Sequence, residues 1–284
     1  DDRALAWRYE KNRRDVIMIG LDRGSLRVMM VFAHADDETL LAGALISKLV
    51  RDGHDVKVLC LAPGGDDRVG RLRGACVDLG VSAAETLRFS ESPMWPDDAG
   101  DSSDSTAAHL DPQLSLVPST DLARKIAGRI SEDAPDVVVT HSSYGDYGNS
   151  DHAAAFRATK LAVESVSGDA MRLYSLEWPR LVVRINARMM RIGGRSIRRM
   201  GPDGSFDLTL ALQRSKPPTI SIDVYSELGA RRKASRWYCL EISKGPLPMR
   251  LLERLPLFLQ RYFLGKARLR NEMAPEGFDQ TTGL

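Results

Sequence analysis

The sequence has few of the residues that build disulfide frameworks, membrane spans or strongly charged surfaces. Its 284 residues include three cysteines, Cys60, Cys76 and Cys239, and none of them forms a C-x-x-C pair. An odd count with this spacing implies neither a disulfide scaffold nor a cysteine-rich metal site. No stretch reaches the ~18 uncharged apolar residues of a membrane span. The formal net charge is only +2, which argues against a dedicated nucleic-acid-binding protein.

Hydrophobic residues make up 43% of the chain and charged residues 27%, which is typical of a soluble globular protein. Residues 1–25 are charged and have no strong period, so we expect an N-terminal extension there. No apolar run follows the first residues, which predicts no signal peptide and a cytoplasmic location. We expect a single α/β domain over 26–284, with 180–284 as its less regular C-terminal part.

Short apolar runs alternate with segments of helical period along most of the chain. A nearly continuous apolar run such as 26–33 is typical of a strand buried on both faces. Segment 39–52 has apolar residues three and four apart, which predicts a helix. This alternation predicts an α/β fold with a Rossmann-like, mostly parallel sheet and helices on both faces. The predicted strands are 26–33, 55–62, 86–90, 136–140, 172–178 and 219–224, and the predicted helices are 39–52, 68–79, 119–133, 153–166, 227–242 and 249–265.

The segment 91–118 interrupts this alternation with five aspartates among serines and prolines. Long loops in compact domains are often binding loops or lids, and we predict such a role here. Met94 and Trp95, at the start of the loop, are candidates for stacking on a sugar ring, although lone aromatic residues at loop edges more often serve in packing.

Two polar segments follow predicted buried strands. His34, Asp36 and Asp37 come directly after the first strand, and a segment that ends in His152 follows the fourth. In open α/β sheets ligands bind at the carboxyl ends of strands, so neighbouring strands would bring both segments to one crevice. Two histidines and a carboxylate match the three protein ligands of a catalytic zinc site. A carboxylate beside these ligands is a candidate general base.

Each polar segment alone also has a purely structural interpretation. Asp36 or Asp37 is equally suited to cap the helix that begins near Glu38. Asp151 and His152 are typical of a helix start. The functional interpretation therefore depends on finding both segments at equivalent places in one βα framework.

Together the two segments resemble the signatures of one family. Segment 33–38, A-H-A-D-D-E, resembles the A-H-P-D-D-E signature of the zinc-dependent PIG-L/LmbE-like N-acetylglucosaminyl deacetylases. Segment 145–152, G-D-Y-G-N-S-D-H, resembles their second signature, G-x-Y-x-H-P-D-H. Residues 68–81 are similar to the stretch with the family's substrate-binding arginine, and 272–278 to its C-terminal end. The resemblance covers about 26–158 and implies an LmbE-like deacetylase fold.

The resemblance also implies a chemistry, in which Zn²⁺ activates water and polarises the carbonyl of an amide. Its implied roles are His34, Asp37 and His152 as zinc ligands, Asp36 as general base, Tyr147 and Asn149 as catalytic groups at the substrate carbonyl, and Arg68 and Asp151 on the substrate-binding side, with Asp151 orienting its neighbours.

Departures from the family pattern concern the substrate more than the metal. Asn149 stands where the family usually has a histidine beside the reacting carbonyl, and asparagine supplies neither a proton nor a positive charge. Three outcomes stay open: Tyr147 and Asn149 together suffice, His141 enters the site, or activity is low. Arg71 stands where an acidic residue is common, which would reshape the pocket near Arg68.

Two segments of the last third stand apart from this chemistry. Residues 180–202 contain seven arginines and no acid, and we favour a solvated face over contact with an anionic substrate or membrane. Segment 251–264 combines eight apolar residues with flanking bases. We rank its roles as a core helix, an oligomer contact, or a contact for the apolar part of a substrate.

The predicted function is zinc-dependent hydrolysis of the acetamide of an N-acetylglucosaminyl conjugate to the free amine and acetate. The alternatives are an amidase of a related conjugate, such as a thiol conjugate or a glycosylated antibiotic, and a catalytically weakened sugar-binding member of the family. The expected partner is a small glycoconjugate, with a large apolar or lipid aglycone as a hypothesis and no nucleic acid. Peripheral membrane contact and a homo-oligomer stay open.

Overall fold

The computed structural model describes residues 24–92, 112–166, 171–178, 180–192, 196–198, 207–245 and 247–273. The predicted extension at 1–25 lies almost entirely outside these residues. Met94, Trp95 and most of the predicted loop at 91–118 lie outside them as well, as does most of the segment 272–278.

A seven-stranded sheet forms the centre of the fold, with the strand order β3-β2-β1-β4-β5-β7-β6. The strands from β3 to β5 in this order are parallel, whereas β7 runs antiparallel to both β5 and β6. The predicted mostly parallel sheet is therefore confirmed. The strands are β1 (Arg27–His34), β2 (Asp55–Ala62), β3 (Ala83–Thr86), β4 (Val137–Thr140), β5 (Arg172–Leu176), β6 (Ile220–Asp223) and β7 (Lys266–Asn271).

Helices cover both faces of this sheet, as predicted. Three additional 3₁₀ turns lie at Leu114–Leu116, Tyr225–Glu227 and Ser235–Tyr238. The helices are α1 (Asp37–Leu40), α2 (Gly43–Arg51), α3 (Asp66–Leu79), α4 (Ser119–Asp133), α5 (Ser150–Val166), α6 (Arg180–Ile192), α7 (Leu208–Arg214), α8 (Leu228–Ala234), α9 (Cys239–Lys244), α10 (Leu247–Arg254) and α11 (Leu257–Leu264).

Strand β1 explains why the apolar runs are nearly continuous. Seven of its eight residues are buried, because alternate side chains enter separate cores on the two faces. Met30 and Phe32 face the core formed with α2 and α3, and Met29 and Val31 face the core formed with α4 and α5. The C-terminal part of the chain joins the first core through Ile220, Ile222, Tyr238 and Leu269, among others.

Several predicted boundaries were wrong. The helix predicted over 39–52 is two helices, α1 and α2, separated at residues 41–42. The strand predicted over 86–90 lies at β3, and Ser90 makes only a single bridge to Gln113. A polar or apolar pattern alone does not locate where the backbone breaks within such segments.

The two long helices predicted near the C-terminus are also interrupted. Residues 225–244 form short helices joined by 3₁₀ turns, and 249–265 is divided between α10 and α11. Pro256 accounts for the second break, since proline has no N–H to donate and disfavours a helical conformation in the residue before it. Strand β7 was not predicted.

Helix α6 occupies the first part of the arginine-rich segment. Arg184, Arg188 and Arg191 are exposed on it, while Val183 and Met190 are buried in a third, smaller core. The described arginines therefore form the solvated face that was favoured from the sequence. Among the described residues no helix is long and apolar enough to cross a membrane.

Candidate metal centre

The two polar segments meet at the carboxyl edge of the sheet. Strand β1 lies between β2 and β4, so the chain order reverses between β1 and β4. His34 is the last residue of β1, and the polar segment 141–152 follows β4 and leads into α5. The predicted crevice at this switch point is the place where ligands bind in open α/β sheets.

Three donor atoms converge in this crevice. His34 Nδ1 lies 3.5 Å from Asp37 Oδ2 and 3.2 Å from His152 Nε2, and the last two atoms are 3.4 Å apart. Ligand atoms that hold a tetrahedral zinc ion at its usual bond lengths are about 3.3–3.4 Å apart. The three residues therefore fit a divalent metal ion and leave a fourth position open.

Hydrogen bonds to the outer nitrogens fix which ring nitrogens face the centre. His34 Nε2 lies 3.0 Å from Asp151 Oδ2, and His152 Nδ1 lies 2.9 Å from Asp146 Oδ2. Each imidazole donates its proton to a carboxylate, so His34 Nδ1 and His152 Nε2 are left as electron-pair donors. These two nitrogens and the Asp37 carboxylate oxygen face one another, and a cation bound between them would accept all three electron pairs.

His141 lies directly behind this trio. Its Nδ1 donates to Asp146 Oδ2 at 2.6 Å, and its Nε2 accepts the backbone N–H of Ala33 at 2.8 Å. Asp146 also accepts the backbone N–H of Ser142. His141, Asp146 and His152 are close enough to form a second metal-binding group, but their facing atoms are already joined by hydrogen bonds. His141 therefore supports the centre through Asp146 and does not enter it.

Asp151 is fully buried beneath His34. Its Oδ2 accepts from His34 Nε2 and from the backbone N–H of Ser92 at 2.7 Å, and its Oδ1 accepts the Ser92 hydroxyl at 2.6 Å. Because both oxygens are bonded away from solvent, this is the position of a carboxylate that orients a ligand. Asp151 was predicted on the substrate-binding side, but its side chain is not exposed to the crevice.

Asp36 occupies a strained turn beside the centre. Its φ of 144° lies in a region that residues other than glycine seldom adopt. Its backbone N–H donates to Glu38 Oε2 at 3.0 Å. Glu38 Oε1 in turn accepts the hydroxyls of Thr39 and of Tyr238, at 2.7 and 2.8 Å. The C-terminal part of the chain thus supports the turn that carries Asp36.

Arg68, at the start of α3, also lies beside Asp36. Its Nη2 donates to the carbonyl of Ala35 at 2.7 Å and lies 3.8 Å from Asp36 Oδ2. Its Nη1 donates to Glu91, and its Nε lies 3.5 Å from Glu241. The guanidinium is therefore held among carboxylates at the rim of the centre.

Arg71 belongs to the same group of charges. Its Nη2 donates to Glu241 Oε1 at 2.7 Å, which joins α3 to α9. Arg71 stands where the family commonly has an acidic residue, and its positive charge is paired with Glu241, about 170 residues further along the chain.

Asn149 and Tyr147 lie next to His152. Asn149 Oδ1 accepts the backbone N–H groups of Asp151 at 2.8 Å and His152 at 3.4 Å, so Asn149 caps α5. The Asn149 side chain also hydrogen-bonds Tyr147, whose ring lies edge-on to the His152 ring at 5.1 Å. The amide oxygen of Asn149 is thus occupied by the helix cap.

Burial and neighbouring charges separate the two adjacent aspartates. Burial raises the pKa of Asp37, but His152, His141 and His34 outweigh it and hold the pKa well below its usual range. Burial and the negative charge of Asp37 raise the pKa of Asp36. Neighbouring carboxyls with opposite shifts are typical of sites where one group stays ionised while the other exchanges protons.

Two further groups keep their protons readily. Burial raises the pKa of Glu38 to about 7, and burial together with the charges of Asp37 and Asp36 raises the pKa of Tyr147. Tyr147 therefore remains a hydrogen-bond donor at neutral pH.

The supporting residues were largely missed from the sequence. Asp146 and His141 lie within a segment that was recognised as polar, so proximity to the motif was a usable signal. Ser92, Tyr238 and Glu241 carry no local signal, because only the folded chain brings them to the centre.

The fold and the trio define the chain as an α/β protein with a candidate catalytic metal centre at its switch point. Residues 29–163 match the PIG-L family, described as GlcNAc-PI de-N-acetylase. Over this range the chain is similar to that family. All three trio residues and Asp36 lie within the matched range.

Curated relatives are similar to this chain in sequence, and a solved structure is similar to it in fold. The 1D-myo-inositol 2-acetamido-2-deoxy-alpha-D-glucopyranoside deacetylase of Thermomonospora curvata is 28% identical over 199 residues, 58% of this chain and 64% of the relative. The protein of that name from Mycobacterium sp. (strain KMS) is 31% identical over 169 residues, which are 52% of this chain and 53% of the relative. The chain thus spans between about half and two thirds of these relatives. A conserved protein from Thermus thermophilus shares the fold, with a TM-score of 0.54 and 17% identity over 87% of this chain and 95% of that one.

Proposed function

We propose that this chain is a zinc-dependent hydrolase that removes the acetyl group of an N-acetylated amino sugar conjugate. The observation that carries the proposal is the convergence of His34 Nδ1, Asp37 Oδ2 and His152 Nε2 at 3.2–3.5 Å. The curated relatives support the substrate class, because their names describe deacetylases of an acetamido-glucopyranoside. Zinc is the ion that we assign to this centre, and the cytoplasm is the location that we expect.

In this proposal His34, Asp37 and His152 hold the metal. The bound ion supplies a Lewis acid that polarises the amide carbonyl and makes water a better nucleophile. Asp36 accepts the proton of the attacking water as an oxygen–carbon bond forms. It then passes this proton to the nitrogen as the carbon–nitrogen bond breaks, which yields the amine and acetate. A raised pKa suits a group that must both take and return a proton.

We assign the stabilisation of the carbonyl oxygen to Tyr147. Its phenol keeps its proton because burial raises its pKa, and it lies against the ring of His152. Asn149 acts through Tyr147, which it hydrogen-bonds, and through the start of α5, which it caps. In this proposal Tyr147, supported by Asn149, takes the role of the family histidine at the carbonyl, and His141 does not contribute directly. Removing a donor to such an oxyanion typically costs about 10²–10³ in rate.

Arg68 is assigned to the sugar. It lies at the rim of the centre beside Asp36, and its partners Glu91 and Ala35 fix the direction of its guanidinium. A sugar hydroxyl that reaches this rim would meet a donor and an acceptor together. The aglycone is open to an apolar or lipid group, and a homo-oligomer is a further proposal.

The test combines metal content and acetate release on the whole chain. Substrates are N-acetylglucosamine conjugates with inositol, lipid, thiol-sugar and polyphenolic aglycones. Asp36→Asn is the variant, because asparagine tolerates a positive φ and leaves the metal ligands in place. We expect retained zinc and turnover lower by about 10²–10⁴. Asp37→Asn is the control and should lose the metal.

Two outcomes would contradict the proposal. A chain that binds no divalent ion would overturn the ligand assignment. A chain that binds zinc and the sugars but releases no acetate from any of them would support a sugar-binding protein without hydrolysis.

A further inference from the structure

Helices α10 and α11 expose an unusual amount of apolar surface. Leu247 and Leu251 on α10 are 51% and 46% exposed, and Phe258 and Tyr262 on α11 are 58% and 67% exposed. Each pair is four residues apart and therefore lies on one face of its helix. Contiguous exposed apolar side chains mark an interaction surface more often than isolated ones do.

The exposed charges of these two helices are all basic. Arg250 and Arg254 on α10 and Arg261 on α11 are exposed. The only acid between residues 242 and 271 is Glu253, which is largely buried and pairs with Arg231. No exposed negative charge on this segment therefore offsets the arginines.

The inner sides of the two helices are already packed. Gln260 is fully buried and donates to the carbonyl of Leu252 at 2.9 Å. Arg232 donates to the carbonyls of Glu253 and Leu255, at 3.0 and 2.8 Å. The exposed side chains are thus held outward by a fixed helix pair, and turning them inward would break these bonds.

We propose that the exposed sides of α10 and α11, which carry Leu247 and Leu251 and Phe258 and Tyr262 with the neighbouring arginines, together bind an anionic membrane surface. Leucines and aromatic residues with flanking arginines are the pattern of helices that lie in a lipid interface. The arginines match the negative charge of anionic headgroups. This inference is independent of the proposed hydrolysis.

Charge also argues against a second copy of this chain as the occupant. A two-fold symmetric contact would place the same patch on both sides, so the arginines of one copy would lie against a patch that carries the same three arginines, Arg250, Arg254 and Arg261. Such a contact would bring like charges together with no exposed acid on the patch to offset them. A lipid surface has no such conflict.

The experiment measures co-sedimentation of the full chain with vesicles of phosphatidylcholine, with and without phosphatidylglycerol. We expect binding only to the anionic vesicles, and weaker binding as salt screens the charges. The double variant Phe258→Ser with Tyr262→Ser should weaken binding by about tenfold or more, because each serine buries much less apolar area in the membrane than the aromatic side chain it replaces. Arg250→Gln and Arg254→Gln should each weaken it by about fivefold.

Leu116→Ser is the matched control, because Leu116 is 71% exposed but lies on a 3₁₀ turn outside this patch. It should bind vesicles as the unaltered chain does, and thermal unfolding should show every variant folded. The proposal is overturned if the unaltered chain ignores anionic vesicles, or if the Phe258/Tyr262 variant binds them equally well. It is also overturned if the unaltered chain is a dimer in solution that this variant dissociates without any change in vesicle binding.

Discussion

Residues 24–166 and residues 171–273 contribute to the molecule in different ways. The first region supplies four parallel strands and the whole candidate metal-binding trio. The second supplies β5, the antiparallel strand β7, the edge strand β6 and thirteen of the seventeen large apolar side chains that are exposed among the described residues. The candidate site therefore lies in the first region, while the second region carries most of the exposed apolar surface.

The second region nevertheless reaches the surroundings of the centre, and three of its contacts come from adjoining elements. Tyr238 hydrogen-bonds Glu38, Glu241 pairs with Arg71 and lies near Arg68, and Arg231 donates to the carbonyl of Leu40. All three contacts come from α8, α9 and the turn between them. The two regions thus differ in role: the first supplies the candidate metal ligands, and the second supplies side chains that hold the surrounding elements in place.

The largest expected effect is on Arg231, which donates to the carbonyl of Leu40 in the first region and pairs with Glu253 within the second. Arg231 pairs with Glu253 at 2.5 Å, and both side chains are almost fully buried. Arg231→Met would leave a buried carboxylate unpaired, which typically costs about 3–5 kcal/mol. Urea unfolding of the whole chain measures this loss.

The matched control is Arg129→Met in the first region, where Arg129 and Glu132 form an exposed pair that is expected to contribute about 1 kcal/mol or less. Adding Glu253→Leu to Arg231→Met should recover most of the loss, because the unpaired charge is removed. Equal losses in the Arg231 and Arg129 variants would show that the buried pair contributes no more to stability than the exposed one.

The next effect tests whether metal binding belongs to the first region alone. Asp146 holds His152 and His141 through Oδ2. Asp146→Asn removes the negative charge that orients His152, and such changes typically weaken metal affinity about 10- to 100-fold. Competition with a chelator measures the affinity. Glu241→Gln in the second region is the comparison, and it should leave the metal affinity unchanged; an equal loss there would contradict the division of roles.

A smaller effect is expected where the second region supports the turn of Asp36. Tyr238→Phe removes a donor to the buried Glu38, which in turn holds the backbone of Asp36 at its positive φ. This prediction rests on the proposed function: we expect kcat to fall about tenfold, which is comparable to the loss of one hydrogen bond. KM and zinc content should not change.

Tyr174→Phe is the control for this prediction, since Tyr174 is also buried but interacts with Arg172 away from the centre. It should change stability without a selective change in kcat. If the two variants lower kcat equally, Tyr238 contributes only to general packing.

The same contrast explains what the sequence could predict. The runs at 26–33, 55–62 and 136–140 were predicted as strands because a strand buried on both faces is apolar throughout. A site of two histidines and a carboxylate could be predicted because both polar segments follow such strands in a parallel arrangement, where carboxyl ends share an edge. The choice of Asp37 as the carboxylate of the trio was implied by the resemblance to the family signatures. Both signals are local, and both lie in the first region.

The second region has weaker local signals. Strand β7 has only Ala267 and Leu269 as apolar residues, and its place depends on pairing with β5 and β6. Tyr238 is separated from Glu38 by 200 residues, so no periodicity relates them. Buried polar partners of this kind are set by tertiary packing, whereas Pro256 was a local signal that should have divided the predicted helix at 249–265.

The smallest expected effect compares two helix caps, one in each region. Asn149 caps α5 and Asp207 caps α7, where the Asp207 side chain accepts the backbone N–H of Thr209 at 2.8 Å. Replacing either residue with alanine should cost about 1 kcal/mol of stability, as is typical of a lost cap. Thermal unfolding should show a decrease of about 2–4 °C for each.

Turnover should separate these two variants. Asn149→Ala also removes the partner of Tyr147 beside His152, whereas Asp207→Ala removes only a bond within its own helix start. We therefore expect acetate release to fall only in the Asn149 variant, and Asn149→Ser to restore stability through its hydroxyl cap without restoring turnover. Full turnover in Asn149→Ala would mean that Tyr147 is positioned by its packing against the third core alone, with Asn149 acting purely as a cap.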